Sequence, residues 1–157
     1  MEYSFIIRRA NCGEAREVKE IMGFAFEKYV KDTGIDSVPE ALTETLEQIE
    51  AEIKDNYVYV AFVDGLAVGS LRVRIIDDKT AYLTRFGVRA DYSNMGIGKS
   101  LMALVDKLMA ELGVEKLMLH TAATYMELVR FYYGRGFYID STSKDRGYIR
   151  ALMVKEY

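Results

Sequence analysis

A two-residue turn, Asp64-Gly65, separates two β-type segments and restricts the fold more than any other feature of the chain. Residues 57–63 before it are β-branched and aromatic, and residues 66–76 after it continue as a return strand. Asp-Gly favours a tight hairpin, because both of its residues accept a positive φ. The sequence therefore predicts an antiparallel strand pair, which residues 81–88 extend as a third antiparallel strand. Side chains alternate in the return strand, with Val73 and Ile75 set against Arg72 and Arg74.

The region before the hairpin predicts one strand and two helices. Residues 3–8 have the composition of a first strand, and residues 15–30 carry apolar side chains at the spacing of an amphipathic helix. A second helix is expected to begin near residues 37–40, with Pro39 in its first turn. It is interpreted as one helix, and its apolar face comprises Leu42, Leu46, Ile49 and Ile53.

The region after the hairpin alternates between helices and strands. Ile97–Leu112 has a continuous apolar face and ends at Gly113, a residue typical of helix C-termini. A strand at 116–121 follows this helix, so it should lie parallel to 81–88 with a right-handed crossover. Three shorter elements complete the chain: a helix at 125–133 and strands at 137–139 and 148–154.

Together these elements predict a single α/β domain over residues 1–157. The length is typical of one domain, and no linker or repeat divides the chain. We expect a central mixed, mostly antiparallel sheet with helices on both faces.

Composition excludes several classes of function. Lys and Arg number 21 against 24 Asp and Glu, a net charge of −3, whereas nucleic-acid binders usually carry a basic surplus. The single Cys12 allows no internal disulfide, and the single His120 argues against a zinc cluster, so no metal site is predicted. No apolar run approaches the roughly 18 residues of a membrane span, so we expect a cytoplasmic protein without membrane association.

Two glycines open the longest amphipathic helix soon after a predicted strand. Gly96 and Gly98 lie where the lack of a Cβ atom lets a ligand approach the backbone closely. The first turn of a helix has unpaired N–H groups and about half a positive charge, which suits a phosphate or pyrophosphate. Alternatively, both glycines serve only to pack the helix on the sheet. The spacing matches neither the P-loop of nucleoside triphosphatases nor the dinucleotide-binding fingerprint.

This loop and a later segment together resemble the GNAT superfamily of N-acetyltransferases. The family pattern Gln/Arg-x-x-Gly-x-Gly/Ala corresponds to Ser93-Asn94-Met95-Gly96-Ile97-Gly98. The second family motif, a Phe/Leu-Tyr pair shortly before Gly-Phe, resembles Phe131-Tyr132-Tyr133-Gly134-Arg135-Gly136-Phe137. A predicted strand separates the two motifs, as in the family, and the preceding order of elements also matches, so the resemblance covers nearly the whole chain.

The resemblance implies transfer of the acetyl group of acetyl-CoA to a primary amine of a small molecule or protein. It places the pantetheine arm of acetyl-CoA along the backbone of Phe86, Gly87 and Val88, where an N–H group near Val88 would polarise the thioester carbonyl. The implied coenzyme-binding loop continues through Ser93, Asn94, Met95, Gly96, Ile97, Gly98, Lys99 and Ser100. Lys99 could instead be an ordinary solvated helix residue. Tyr132, at the family's tyrosine position, is the implied acid for the departing thiolate, with core packing as its alternative role.

The chain departs from the family pattern at positions that concern both substrates. Ser93 replaces the usual Gln or Arg, which would remove a side-chain contact to phosphate, and residues 81–88 include no acidic residue to serve as general base. His120 is a candidate base, because an ordinary histidine pKa is about 6.5. Tyr82 and Tyr125 are candidates for a water chain. The acceptor rim is expected to include Tyr29, Glu44 and Glu47, unless the acidic residues form only a solvated helix face.

Two other functions stay open at this point. One is a binding module that kept the acyl-CoA loop but lost catalysis and acts as a sensor or as a partner of another protein. The other is a structural domain whose glycines serve packing. The resemblance also leaves a homodimer open, since the strand ending at Tyr157 could pair with a second subunit.

Overall fold

The computed structural model describes residues 5–35 and 40–157. The strands in these ranges are β1 Phe5–Arg9, β2 Tyr57–Val63, β3 Leu66–Ile75, β4 Thr80–Val88, β5 Lys116–Ala122, β6 Tyr138–Ser143 and β7 Arg150–Glu156. The α-helices are α1 Ala15–Thr33, α2 Glu40–Thr43, α3 Leu46–Asp55, α4 Ile97–Leu112 and α5 Met126–Gly134. The first residues of the predicted strand 3–8 and the predicted helix start at 37–39 lie outside the described residues. Within the described ranges, no helix combines the length and apolar character needed to cross a membrane.

The strands form one mixed sheet in the order β1-β2-β3-β4-β5-β7-β6. β4 and β5 are parallel, with α4 as the connection between them, and the other adjacent pairs are antiparallel. Asp64 and Gly65 have φ values of 49° and 81°, the left-handed conformation that the hairpin turn requires. The predicted mixed, mostly antiparallel sheet is therefore confirmed. The closing strands differ from the prediction in their limits, since β6 extends to Ser143 and β7 begins at Arg150.

Helices cover both faces of the sheet, as predicted. In β2, Val58 and Val60 pack into one apolar cluster with α1 and α3. The alternating residues Tyr59 and Ala61 belong to a larger cluster on the other face, which includes side chains of α4 and α5. Because successive side chains of a strand point to opposite faces, alternate residues of β2 contribute to the two different clusters.

The prediction of one continuous second helix is wrong, because the chain forms α2 and α3 with a break between them. Thr45 caps α3: its hydroxyl accepts a hydrogen bond from the Gln48 amide at 3.1 Å. The Gln48 side chain in turn accepts one from the Thr45 amide at 2.8 Å. This capping box satisfies two backbone donors at once and starts a new helix, and its Thr-x-x-Gln pattern was the missed sequence signal.

The regular alternation expected of β3 also fails at its most important residue. The pattern placed Arg72 with Arg74 on one side of the strand, opposite Val73 and Ile75. Arg72 is nevertheless 3% exposed, and Ile75 is 37% exposed. Arg72 is buried because Glu44, at the end of α2, compensates its charge through two hydrogen bonds. A partner that is 28 residues away in sequence cannot be recognised from the local pattern.

Candidate functional site

A gap opens between the two parallel strands of the sheet. Pairing of β4 with β5 extends only from Thr80 opposite Lys116 to Tyr82 opposite Met118. Beyond Tyr82 the remaining residues of β4 have no partner in β5. The Arg89 amide donates to Val68 of β3 at 2.7 Å. Because amide directions alternate along a strand, the Val88 amide points away from β3, into this gap.

A β-bulge lies in β4 beside the gap. Ser70 of β3 pairs with Gly87 and Arg72 pairs with Thr84, so β4 has one extra residue between these pairs. Arg85 in the bulge has a φ of 57°, which is uncommon for a residue other than glycine. Its guanidinium Nε lies 3.4 Å from Oε1 of Glu44. The left-handed residue is therefore held by the same carboxylate that compensates Arg72.

The N-terminus of α4 presents free backbone donors. Gly96 is the N-cap with a φ of 78°, and its carbonyl accepts the first helical bond, from the Ser100 amide at 3.0 Å. The amides of Ile97, Gly98 and Lys99 precede this bond and have no helical acceptor. A Cβ atom added at Gly96 would meet nothing within 4 Å. Open space therefore adjoins the positive end of a 16-residue helix.

Two other glycines of the predicted site serve close packing. A Cβ atom at Gly98 would lie 3.1 Å from the Phe86 ring and 3.2 Å from the Phe131 ring. A Cβ atom at Gly87 would lie 2.5 Å from Cβ of Ala25 in α1. The packing interpretation of the two helix glycines therefore holds for Gly98. The contact with Ala25 gives Gly87 a packing role as well, whereas Gly96 is required by its backbone conformation and leaves the adjoining space open.

The other predicted loop residues differ in exposure. Ser93, Asn94 and Met95 are exposed, as is Lys99, whereas the Ile97 side chain is buried in the core. Ile97 can therefore contribute only its backbone to a ligand. Because Gly98 lies against Phe86, the free amides of α4 are adjacent to the end of β4 and its gap.

Tyr132 of α5 lies in an aromatic cluster that includes Phe86, next to the end of β4. Its side chain is 5% exposed, and its ring makes edge contacts with Phe86, Phe131 and Phe137 at centroid distances of 6.1, 5.6 and 5.7 Å. Burial raises the pKa of the Tyr132 phenol, and the nearby Tyr29 raises it further. Tyr132 is therefore protonated at neutral pH. Its ring also packs in the core, which was the alternative to a role as catalytic acid.

Tyr29 connects α1 to the end of β5, a contact that the sequence did not reveal. Its hydroxyl accepts a hydrogen bond from the Ala122 amide at 2.9 Å, and burial raises its pKa. The buried side chain of Thr121, the residue before Ala122, lies close enough to the Tyr29 hydroxyl to oppose this rise in part. Of the three residues predicted for the acceptor rim, Tyr29 therefore lies between α1 and the gap. Glu44 is bound to Arg72, and Glu47 is exposed in the first turn of α3.

The candidate base His120 forms a pair with Tyr82. The Tyr82 hydroxyl is in hydrogen-bond contact with Nδ1 of His120, and the ring centroids are 5.6 Å apart. Burial lowers the pKa of His120 from the usual 6.5, and the positive charge of Arg150 lowers it further. The imidazole is therefore neutral at pH 7 and can accept a proton.

Tyr125, the other candidate for a water chain, has a different set of partners. Its hydroxyl donates to Oδ2 of Asp32 at 2.7 Å and accepts from Lys28 at 3.3 Å. Its ring centroid lies 5.5 Å from that of Tyr29. Tyr125 thus ties the start of α5 to α1, at one side of the gap. Among residues 5–35 and 40–157, no group of three or more His, Cys, Asp or Glu could hold a metal ion.

Comparison with known proteins gives one family match. A family model described as "Acetyltransferase (GNAT) family" matches residues 17–137. A curated relative, the spermidine N(1)-acetyltransferase of Thermoplasma acidophilum, is 30% identical over 82 residues, which are 52% of this chain and 50% of that protein. The matched segment thus spans about half the length of this relative.

Solved structures share the fold over almost the whole chain. The PaiA N-acetyltransferase of Thermoplasma acidophilum in complex with coenzyme A has a TM-score of 0.86 and 24% identity, and covers 98% of this chain and 99% of its own. A GNAT-family acetyltransferase from Streptococcus pneumoniae has a TM-score of 0.78 and 17% identity, with coverages of 98% and 99%. At these identities the similarity concerns the fold.

Proposed function

Because the chain belongs to the GNAT family of acetyltransferases, we propose that it is an N-acetyltransferase that transfers the acetyl group of acetyl-CoA to a primary amine. The observation that carries this proposal is the convergence of two sets of backbone donors. The backbone of Gly98, which carries one of the free α4 amides, lies against the ring of Phe86, two residues before the Val88 amide at the gap. A molecule with a pyrophosphate at one end and a carbonyl at the other can use both sets.

The residues present fit coenzyme A. The amides of Ile97, Gly98 and Lys99 would bind its pyrophosphate, and the space beside Gly96 leaves room for it. Ser93 lacks the long hydrogen-bonding side chain of the family's Gln or Arg position, so we propose that the backbone supplies most of the binding energy there. The pantetheine arm would lie in the gap, against the unpaired edge of β4 at Phe86 and Val88.

Acetyl-CoA supplies an activated acetyl group as a thioester. The Val88 amide would donate a hydrogen bond to the thioester oxygen, where negative charge increases as the amine attacks. Tyr132 would donate its phenolic proton to the departing sulfur, which is a moderate base because thiols have a pKa of about 8.5. Because burial raises its pKa, the Tyr132 phenol is protonated at neutral pH, as a proton donor must be.

The attacking amine must lose a proton, and the Tyr82–His120 pair is the proposed route. An alkyl amine with a pKa of about 10.4 is mostly protonated at pH 7, so a proton acceptor near the gap is useful. Neutral His120 can take the proton directly or through the Tyr82 hydroxyl that contacts its Nδ1. This pair replaces the acidic base that β4 lacks.

The test is an assay of thiol release from acetyl-CoA with a panel of amines, with the products identified by mass spectrometry. Spermidine belongs in the panel, because the Thermoplasma acidophilum relative is a spermidine N(1)-acetyltransferase. Amine-dependent release with formation of an N-acetylated product supports the proposal. Binding of acetyl-CoA with no acetylation of any amine would favour the sensor function instead. The cytoplasmic location and the homodimer remain predictions.

A further inference from the structure

One face of the sheet brings together side chains from four strands around the Tyr82–His120 pair. Arg74 of β3 is paired with Tyr82 of β4, and Tyr82 is paired with Met118 of β5. His120 lies two residues beyond Met118, and Arg150 of β7 is paired with Ala122, two residues further still. Cross-strand partners share a face, as do residues two apart in one strand. Arg74, Tyr82, His120 and Arg150 therefore all lie on the same face.

Helices α1 and α3 cover part of this face, but around His120 it is exposed beside the gap. The alternate residues Leu83, Leu117 and Leu119 are buried in the core under α4 and α5, so the opposite face is closed. His120, by contrast, is exposed. If the coenzyme occupies the N-terminal side of α4, an amine that reaches the gap past His120 comes from the face that carries the arginines.

The charges on this face are mainly positive. The Arg74 guanidinium lies 5.9 Å from the centre of the Tyr82 ring. Arg146, in the loop between β6 and β7, directly follows Asp145, whose carboxylate binds Arg150. Burial raises the pKa of Tyr82 and lowers that of His120, and the positive charges of Arg150 and Arg146 act to lower both. Asp145 is the acidic group in this set, and it is bound to Arg150 with an O–N distance of 3.1 Å.

Two carboxylates on the side of the sheet that α1 covers are also compensated. Glu44 binds Arg72, and Asp32 binds Lys28. Arg74 and Arg146, however, make no salt bridge with any residue in the described ranges. In the part of the chain that the structure describes, the charges beside the candidate base without a salt-bridge partner are thus those of two guanidinium groups. Guanidinium groups bind carboxylates and phosphates with two parallel hydrogen bonds.

We propose that the amine acceptor carries an oxyanion group, a carboxylate or a phosphate, which binds Arg74 and Arg146 while its amine lies at His120. This inference rests on the proposed acetyltransferase function and specifies its substrate class. An acceptor of this kind would be positioned through its anion, whereas a purely cationic polyamine would be repelled by the two arginines.

The test compares acceptors that differ only in the anionic group. Lysine and 1,5-diaminopentane differ by one carboxylate, and O-phosphoethanolamine and ethanolamine differ by one phosphate. We expect the anionic member of at least one pair to have a kcat/KM higher by about tenfold or more, the value of one charge-assisted contact. The pair that shows the difference distinguishes a carboxylate from a phosphate.

Arginine variants test which residues cause the preference for the anionic acceptor. Arg74→Gln and Arg146→Gln should each reduce the preference, mainly by raising KM for the anionic acceptor, and Arg146→Glu should reverse it towards the diamine. Arg130→Gln, on the exposed surface of α5, is the matched control and should keep the wild-type preference. Arg74 and Arg146 are exposed, so their substitution should leave the core intact.

Three results would overturn the inference. If diaminopentane and ethanolamine are acetylated as well as their anionic partners, the substrate class is wrong but the transferase function stands. A wild-type preference for the anionic acceptor that persists in both arginine variants would show that these residues do not bind it. If no amine in either pair or in the wider panel is acetylated, the transferase function fails and the inference fails with it.

Discussion

Glu44 accepts two hydrogen bonds from the buried guanidinium of Arg72, at 2.9 and 2.8 Å. The Glu44 side chain is 11% exposed and that of Arg72 is 3% exposed, so water solvates neither charge well and each depends on the other for stabilisation. The same carboxylate reaches Arg85 in the bulge of β4. This relationship joins the end of α2 to the sheet, next to the strand that forms the gap.

Glu44→Gln should destabilise the protein by about 3 kcal/mol, because it leaves the buried Arg72 charge without a counter-charge. The measurement is the free energy of unfolding from urea denaturation. Glu47→Gln is the matched control, since Glu47 is exposed in α3, and its effect should stay within about 0.5 kcal/mol. Equal stability of the two variants would show that the Glu44–Arg72 pair contributes nothing measurable.

Gly96→Val should weaken acetyl-CoA binding by about tenfold or more, because the side chain would occupy the open space in front of the α4 amides. Calorimetric titration measures this affinity. Valine at a φ of 78° also adds backbone strain, so a control with the same strain is needed. Gly113→Val, at the other end of α4 with a φ of 70° and open space around it, supplies that control. An equal loss of affinity in both variants would attribute the effect to strain.

Tyr132→Phe should lower kcat by about 10²-fold while leaving acetyl-CoA binding nearly unchanged, since the ring packing with Phe86 and Phe131 is kept and only the proton donor is lost. Tyr57→Phe in β2 is a control for the loss of a phenol elsewhere. Single-turnover kinetics and thermal denaturation separate chemistry from stability. Full activity of the Tyr132 variant would leave Tyr132 with the packing role alone.

The pH dependence of kcat/KM should show an acidic limb whose midpoint lies below 6.5, the usual histidine pKa. Burial and the positive charges of Arg150 and Arg146 lower the His120 pKa, and Asp145 opposes them in part. His120 therefore stays an unprotonated base down to a lower pH, and activity should fall only when the pH drops through that value. His120→Gln should remove this limb and reduce kcat/KM, whereas a limb that persists in the variant would belong to another group.

Local sequence patterns predicted most elements of the fold. Asp64-Gly65 identified the hairpin, and the apolar face that ends at Gly113 identified α4, because turns and helices depend on residues within about four positions. The same patterns failed between α2 and α3, where the Thr45–Gln48 capping box was overlooked. They also failed at Arg72, whose burial depends on a partner outside its own strand.

The candidate site was predicted less completely than the fold. The two family motifs predicted the α4 loop and Tyr132 as site residues. The structure gives different reasons for the three glycines in the first motif and in the strand before it. Gly96 adopts a left-handed backbone, while Gly87 and Gly98 allow Ala25 and the aromatic rings to approach closely. A sequence pattern cannot distinguish these reasons, because each depends on what faces the missing Cβ atom.

The sequence by itself determined the fold class, the hairpin and the glycine-bearing helix start, since each arises from short-range rules of backbone conformation and apolar periodicity. The tertiary structure decided which polar side chains meet. Arg72 and Glu44 are 28 residues apart, Tyr82 and His120 are 38 apart, and Tyr29 and Ala122 are 93 apart. The register of the strands and the packing of α1 and α2 on the sheet bring these pairs into contact, and these relationships arise only when the whole chain has folded.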